Sequence, residues 1–79
     1  MVLRQILADN LRRARLAAGL SQEELADVAG IDRTYVSALE RCRYAASVDV
    51  IERIATALRV TPASLLEDIE DVLPRNENT

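Results

Sequence analysis

The sequence predicts an all-α fold, a single domain of five short helices, and three observations support this prediction. Alanine, leucine and arginine favour helix and are abundant, whereas the 79 residues include only two glycines and two prolines. Apolar residues recur at spacings of three and four, which is the period of one helical face. Residues that cap helices precede most of these stretches, namely Ser21, Asp32, Ser47 and Thr61. We expect the domain to occupy residues 1–74, with a short polar tail over residues 75–79.

The first two helices are each followed by a glycine. Helix one is predicted over about residues 2–18, where an apolar stripe is formed by Leu3, Leu7, Leu11, Ala14 and Ala18. Gly19 then supplies a left-handed stop. Helix two is predicted over about residues 22–29, because Ser21 begins a capping box of the form Ser-x-x-Glu and Gly30 ends the helix.

The remaining three helices begin after the other capping residues. Helix three is predicted over about residues 33–41 and helix four over about residues 48–58. Helix five is predicted to begin at Pro62. Proline lacks a backbone N–H, and the first residue of a helix does not use its N–H in the helix. Its apolar stripe continues until Pro74, where a second proline ends the pattern.

Composition excludes several functional classes. The chain has no histidine and one cysteine, Cys42, so neither a zinc cluster nor a disulfide framework is available. It also lacks a glycine-rich phosphate loop, and we expect no enzyme activity, metal, cofactor or small-molecule ligand. No apolar run approaches the roughly 18–20 residues that cross a bilayer, and the start lacks a signal-peptide pattern. We therefore expect a cytoplasmic protein that does not contact membranes.

The net charge of −3 is unevenly distributed along the chain. Residues 1–66 hold nine arginines and eight acidic residues, whereas residues 67–79 hold five acidic residues and one arginine. Nucleic-acid binding requires a local positive face rather than a positive total, so the overall charge does not exclude it.

Residues 22–41 have the pattern of a helix-turn-helix. Two short helices flank a turn that contains Gly30, and Ala26 provides the small residue needed where the helices cross. Five apolar residues occupy the inward positions that hold the two helices together: Leu25, Ala29, Ile31, Val36 and Leu39.

These residues resemble the Cro/repressor (Xre-type) helix-turn-helix family, whose fold is the lambda-repressor-like DNA-binding domain. The resemblance rests on the runs Leu20-Ser21-Gln22-Glu23-Glu24-Leu25-Ala26, Ala29-Gly30-Ile31, Arg33-Thr34-Tyr35-Val36-Ser37 and Glu40-Arg41. Within the family, the last two runs are most similar to controller proteins of restriction–modification systems. The resemblance implies a small homodimeric transcription regulator that binds paired palindromic operators, including one at its own promoter.

Two alternatives remain open at this stage. The chain could be a phage-type repressor or antitoxin-like regulator, since these share the motif. It could also be a helix-turn-helix scaffold that binds another protein, such as a toxin or RNA polymerase. Strong salt dependence of DNA binding would favour the hypotheses in which the chain binds DNA over the scaffold hypothesis.

Helix three is the expected recognition helix, lying in the major groove of double-stranded DNA. Arg33, Thr34 and Ser37 are the candidates for reading bases, and Ala38 is expected on the same outward face. The candidates for contacting the DNA backbone are Gln22, Tyr35, Arg41, Arg43 and Tyr44. Each has a plainer alternative: Tyr35 could pack against helix two, Gln22 could serve only as a helix start, and the others could be solvated.

Two further expectations concern structure rather than DNA contact. The resemblance to phage repressors implies a partly buried ion pair between Arg15 and Glu40, which would orient the recognition helix. Cys42 stands where relatives usually have glycine. If its φ is positive, cysteine there stores about a kcal/mol of strain. A redox role for this thiol is the less favoured alternative.

The fifth helix is the expected dimer interface, because its apolar residues exceed what one small core needs. These residues are Leu65, Leu66, Ile69, Val72 and Leu73. The alternative is that they only complete the core of one protomer. A two-fold dimer would place two recognition helices one DNA turn apart, about 34–36 Å.

Overall fold

The computed structural model describes residues 2–68, and within this range it is entirely helical. It contains four α-helices and one short 3-10 helix, in the order α1 (Val2–Ala17), α2 (Gln22–Ala29), α3 (Arg33–Glu40), α4 (Val48–Leu58) and the 3-10 helix Ala63–Leu66. No strand occurs in the described range, so the predicted all-α class is confirmed. No helix there is both long and apolar enough to cross a bilayer.

Capping side chains begin the helices where the sequence predicted. The Ser21 hydroxyl accepts the backbone N–H of Glu24 at 3.0 Å, and the Glu24 carboxylate accepts the N–H of Ser21 at 2.8 Å. Asp32 and Ser47 likewise each accept a backbone N–H from the first turn that follows, at 3.2 and 3.1 Å. Because these bonds satisfy donors that a helix start leaves free, local sequence determines where α2, α3 and α4 begin.

Between residues 2 and 68, four residues adopt the left-handed backbone conformation, and only two of them are glycines. Gly19 and Gly30 have φ values of 74° and 72° as expected, whereas Cys42 and Arg59 have φ values of 60° and 59°. A side chain costs about 1–3 kcal/mol in this region. Cys42 therefore carries the strain anticipated above, and Arg59 at the end of α4 is a second strained position that the sequence did not indicate.

The core lies where α2 crosses α3 and α4, with α1 packed across α3 and the 3-10 helix. Its six largest fully buried side chains are Leu11, Val36, Leu25, Leu39, Ile54 and Leu65. Leu65 is only 1% exposed, so the 3-10 helix contributes to the protomer's own core. The core thus fixes α3 against α1 and α2, while α4 and the 3-10 helix support these two helices in turn.

The predicted fifth helix is wrong at Glu67, where the backbone becomes extended (φ −83°, ψ 130°). The amide of Asn10 on α1 donates to the carbonyl oxygens of Leu65 at 3.0 Å and Glu67 at 2.8 Å. An α-helix would use the Leu65 carbonyl for its own next turn, so this tertiary contact competes with helix continuation. Residues 69–79 lie outside the described range.

Candidate nucleic-acid interface

The turn between α2 and α3 is held by backbone hydrogen bonds and by one arginine. Gly30 in the left-handed conformation reverses the chain, and the Ile31 N–H donates to the Ala26 carbonyl at 3.0 Å. Arg53 on α4 donates from Nη1 to the Gly30 carbonyl at 3.2 Å. The sequence offered no sign of Arg53, because the contact joins residues that are 23 positions apart.

The exposed face of α3 carries polar side chains at the predicted positions, with one exception. Arg33, Thr34 and Arg41 are exposed and Ser37 is half-buried. Ala38, expected on the outward face, is only 8% exposed. The prediction of an exposed Ala38 was therefore wrong, although the residue lines a surface recess together with Thr34 and Arg41.

Three arginines on this side of the molecule remain free of acidic partners. Arg33, Arg41 and Arg43 are exposed, and none forms an ion pair with an acidic residue of the described range 2–68. Their guanidinium groups therefore retain all their donors for phosphate or base oxygens. The face has the positive character that the net charge of the chain conceals.

Two tyrosines join α3 to the loop that follows it. The rings of Tyr35 and Tyr44 meet edge to face, with centroids 6.2 Å apart and planes at 69°. The Tyr35 hydroxyl donates to the Ala45 carbonyl at 3.4 Å, and its ring packs against the core. Tyr44 is 61% exposed. Tyr35 thus has a packing role, while the position of Tyr44 beside Arg43 leaves it accessible to a ligand.

A surface pocket lies between α3 and this loop, and we call it the α3 pocket. Its lining combines two of the three unpaired arginines with the aromatic pair and two small side chains: Thr34, Tyr35, Ala38, Arg41, Arg43 and Tyr44. All but Thr34 and Ala38 belong to the predicted backbone-contacting set, and Thr34 belongs to the predicted base-reading set. The fold therefore brings separate sequence predictions together around one recess.

Arg15 and Glu40 form a buried ion pair beneath this face. Arg15 Nε donates to Glu40 Oε2 at 2.6 Å, and the two side chains are 10% and 5% exposed. Arg15 also donates to Glu40 Oε1 at 3.1 Å and to the Leu20 carbonyl at 2.8 Å. The hydrogen bond with Glu40 raises the pKa of Arg15 above its ordinary value, against the opposing effect of burial. This pair ties α1 to the last residue of α3.

Gln22 joins the same network. Its amide Nε2 donates to Glu40 Oε1 at 3.1 Å, so the side chain is turned toward the ion pair and half-buried. The structure therefore links Gln22, predicted as a phosphate contact, to the end of α3 through Glu40. The Ser21 hydroxyl already accepts the Glu24 N–H, so the first-turn donors outside the capping box are those of Gln22 and Glu23.

The predicted dimer residues are placed only in part. Leu65 is buried in the core of the protomer, as the alternative prediction stated. It therefore has no exposed surface with which to contact a second copy. Leu66 is half-buried and packs against the edge of the core. Ile69, Val72 and Leu73 lie outside the described residues.

Comparisons with known proteins agree with this arrangement. A helix-turn-helix family model matches residues 11–65. A hypothetical transcription factor from Neisseria meningitidis is 52% identical over 64 residues, a match that covers 81% of this chain and 60% of that protein. Control protein C.SmaI from Serratia marcescens is 36% identical over 84% of this chain and 79% of its own.

One solved structure is similar to this chain in both fold and sequence. The restriction–modification controller protein C.AhdI from Aeromonas hydrophila superposes with a TM-score of 0.79 and 40% identity, covering 82% of this chain and 98% of that one. The family match spans the core, the turn and the exposed α3 face described above. The chain therefore belongs to the Xre-type helix-turn-helix family of transcription regulators.

Proposed function

We propose that the chain binds specific double-stranded DNA sites with α3 in the major groove and thereby regulates transcription. The observation that carries this proposal is the exposed face of α3, where Arg33 stands at the first helical position without an acidic partner in the described range. An arginine at this end can donate two hydrogen bonds to guanine O6 and N7. Thr34 and Ser37 beside it provide hydroxyl groups for further base edges.

Contacts to the DNA backbone would surround this reading face. Arg41, Arg43 and Tyr44 lie at the far end of α3, and Gln22 at the start of α2 is linked to that end through Glu40. The first-turn N–H groups of α2 can bind a phosphate at the helix N-terminus. Gln22 would contribute by its amide while Glu40 orients it. Tyr35 would contribute mainly by holding Tyr44 in place.

Within this function we propose the role of a restriction–modification controller. The support is the likeness to the restriction–modification controller protein C.AhdI and to control protein C.SmaI, each over more than four fifths of this chain. Such a protein would act in the cytoplasm as a homodimer at paired palindromic operators, including its own promoter, and could engage RNA polymerase. A dimer would use Leu66 and the segment from residue 69 onward rather than Leu65. A phage-type or antitoxin-like regulator is the alternative at the same level.

The test is a gel-shift titration with DNA from upstream of the gene that encodes the chain, in excess non-specific competitor. Wild type should bind this DNA, and Arg33→Ala should weaken specific binding by about 5- to 150-fold, the loss of one bidentate base contact (about 1–3 kcal/mol). Arg12→Ala is the matched control, because Arg12 is also exposed but lies on α1.

Salt dependence separates this proposal from a protein-docking scaffold. Specific DNA binding should weaken steeply as salt rises from about 50 to 200 mM, because each phosphate contact releases counterions. Absence of competitor-resistant binding by wild type would argue against action at its own promoter and favour the scaffold. Equal binding by wild type and Arg33→Ala would remove Arg33 from the reading face.

A further inference from the structure

The α3 pocket combines arginine side chains with apolar groups. Ala38 is one of its lining residues, carries a single methyl group as its side chain, and is 8% exposed as a residue. Thr34 and Arg41 precede and follow Ala38 by four and three residues, so the three share one stripe of α3. The recess therefore opens along the same helix that presents Arg33 and Ser37, rather than on an unrelated surface.

We propose that the α3 pocket receives the C5-methyl group of a thymine, and that Ala38 is a residue that determines DNA specificity. The inference rests on the proposed function, since it requires α3 to lie in the major groove. On the major-groove edges of unmodified DNA, the thymine methyl is the only apolar group, and alanine and threonine methyls are its usual contacts. Thr34 and Ala38 supply both kinds of methyl in one recess.

A phosphate fits the part of the pocket that Ala38 lines less well than a methyl group does. The backbone N–H of Ala38 lies within α3 and its side chain has no donor, so phosphate oxygens placed there would lose their hydrogen bonds. The donors of this pocket belong to longer side chains, chiefly Arg41 and Arg43. These arginines can hold the DNA backbone beside the recess while a base edge fills it.

The size of residue 38 affects how much of the recess a base can use. A side chain larger than alanine would occupy part of the space that Ala38 lines. A glycine would remove the Ala38 methyl group and leave only that of Thr34. Alanine is therefore the side chain that leaves room for a methyl group and still contacts it.

The first step of the test selects binding sites from a pool of random, unmodified synthetic DNA duplexes with the wild-type chain. Each thymine of the selected site is then replaced in turn by deoxyuridine, which removes only the methyl group. One thymine in each half-site should show affinity weakened by about fourfold, the factor for burying one methyl group. Replacement at the other positions should change affinity less than twofold.

The second step locates the effect at Ala38. In Ala38→Gly, the difference between thymine and deoxyuridine at the sensitive position should fall below twofold. Ala57→Gly is the matched control, because it also places glycine inside a helix but lies on α4, away from the DNA-facing side. It should retain the full difference. Circular dichroism at the working temperature verifies that both variants are folded. The deoxyuridine series uses the wild-type chain, so its result does not depend on whether a variant folds.

The outcomes separate this inference from the function on which it rests. If no sequence is enriched, the proposed function and this inference both fail. If a site is enriched but no thymine responds to deoxyuridine, only the methyl pocket is overturned. A methyl effect that persists undiminished in a folded Ala38→Gly variant likewise overturns the role of Ala38 and assigns the contact to another residue.

Discussion

Arginine serves two opposite purposes in two regions of this molecule. Beneath the recognition helix, Arg15 is buried and donates to Glu40 and to the Leu20 carbonyl. On the outer face, Arg33 and Arg43 are exposed and have no acidic partner within residues 2–68. The difference shows that the number of arginines says little about DNA binding in this chain. What matters is which guanidinium groups the fold leaves unpaired.

The largest effect should come from breaking the buried pair. Glu40→Ala should lower the free energy of unfolding by about 3–5 kcal/mol, because it leaves Arg15 buried without its counter-charge. Urea unfolding followed by circular dichroism measures this change. The double variant Arg15→Met/Glu40→Leu is the control and should recover most of the loss, since neither charge remains. A Glu40→Ala variant as stable as wild type would show that the Arg15–Glu40 pair is not buried as described.

Arg33 should show the reverse behaviour. Arg33→Ala should weaken specific DNA binding by about 1–3 kcal/mol and change the free energy of unfolding by less than about 0.5 kcal/mol. Parallel titration and urea unfolding of the same preparation measure the two quantities. If the variant instead loses stability in proportion to affinity, Arg33 acts through folding and the contrast with Arg15 disappears.

Arg59 provides a third kind of arginine, one held in an unfavourable backbone conformation. Its φ of 59° is typical of glycine. Arg59→Gly should therefore stabilise the domain by about 0.5–1 kcal/mol, since relief of strain exceeds the added entropy of the unfolded chain. Thermal unfolding measures this gain, and Arg59→Ala is the control that retains the strain. A glycine variant less stable than the alanine variant would show that the side chain of Arg59 contributes contacts that outweigh the strain.

The smallest effect should come from a single backbone contact. Arg43→Ala should weaken binding to all DNA sequences to a similar degree and reduce the slope of log affinity against log salt by about 1. Filter binding at four salt concentrations, on specific and random duplexes, measures both slopes. A loss confined to the specific duplex would mean that Arg43 reads bases, and the division between reading and positioning arginines would need revision.

Local sequence signals predicted the part of the fold that depends on neighbours along the chain. The bounds of α2 and α4 follow from their caps and from the apolar period, and both were predicted correctly. Gly30 also has the conformation that its place in the turn indicated. These features depend on hydrogen bonds within a few residues, so an isolated segment already contains the information.

The errors fall where distant parts of the chain meet. Asn10 on the first helix takes carbonyl groups that the predicted fifth helix would have used, at residues 55 and 57 positions away. The inward turn of Gln22 toward Glu40 depends on a contact 18 positions away. Helical periodicity assigns a residue to a face, but it does not tell which other segment will lie against that face.

The contact of Asn10 also determines the direction in which the backbone leaves the described domain. Because its amide bonds to the carbonyl groups of Leu65 and Glu67, the end of the 3-10 helix is oriented by α1. The last described residues of the chain are therefore held in place by an asparagine of the first helix, and a change at Asn10 would loosen this segment without touching the recognition helix.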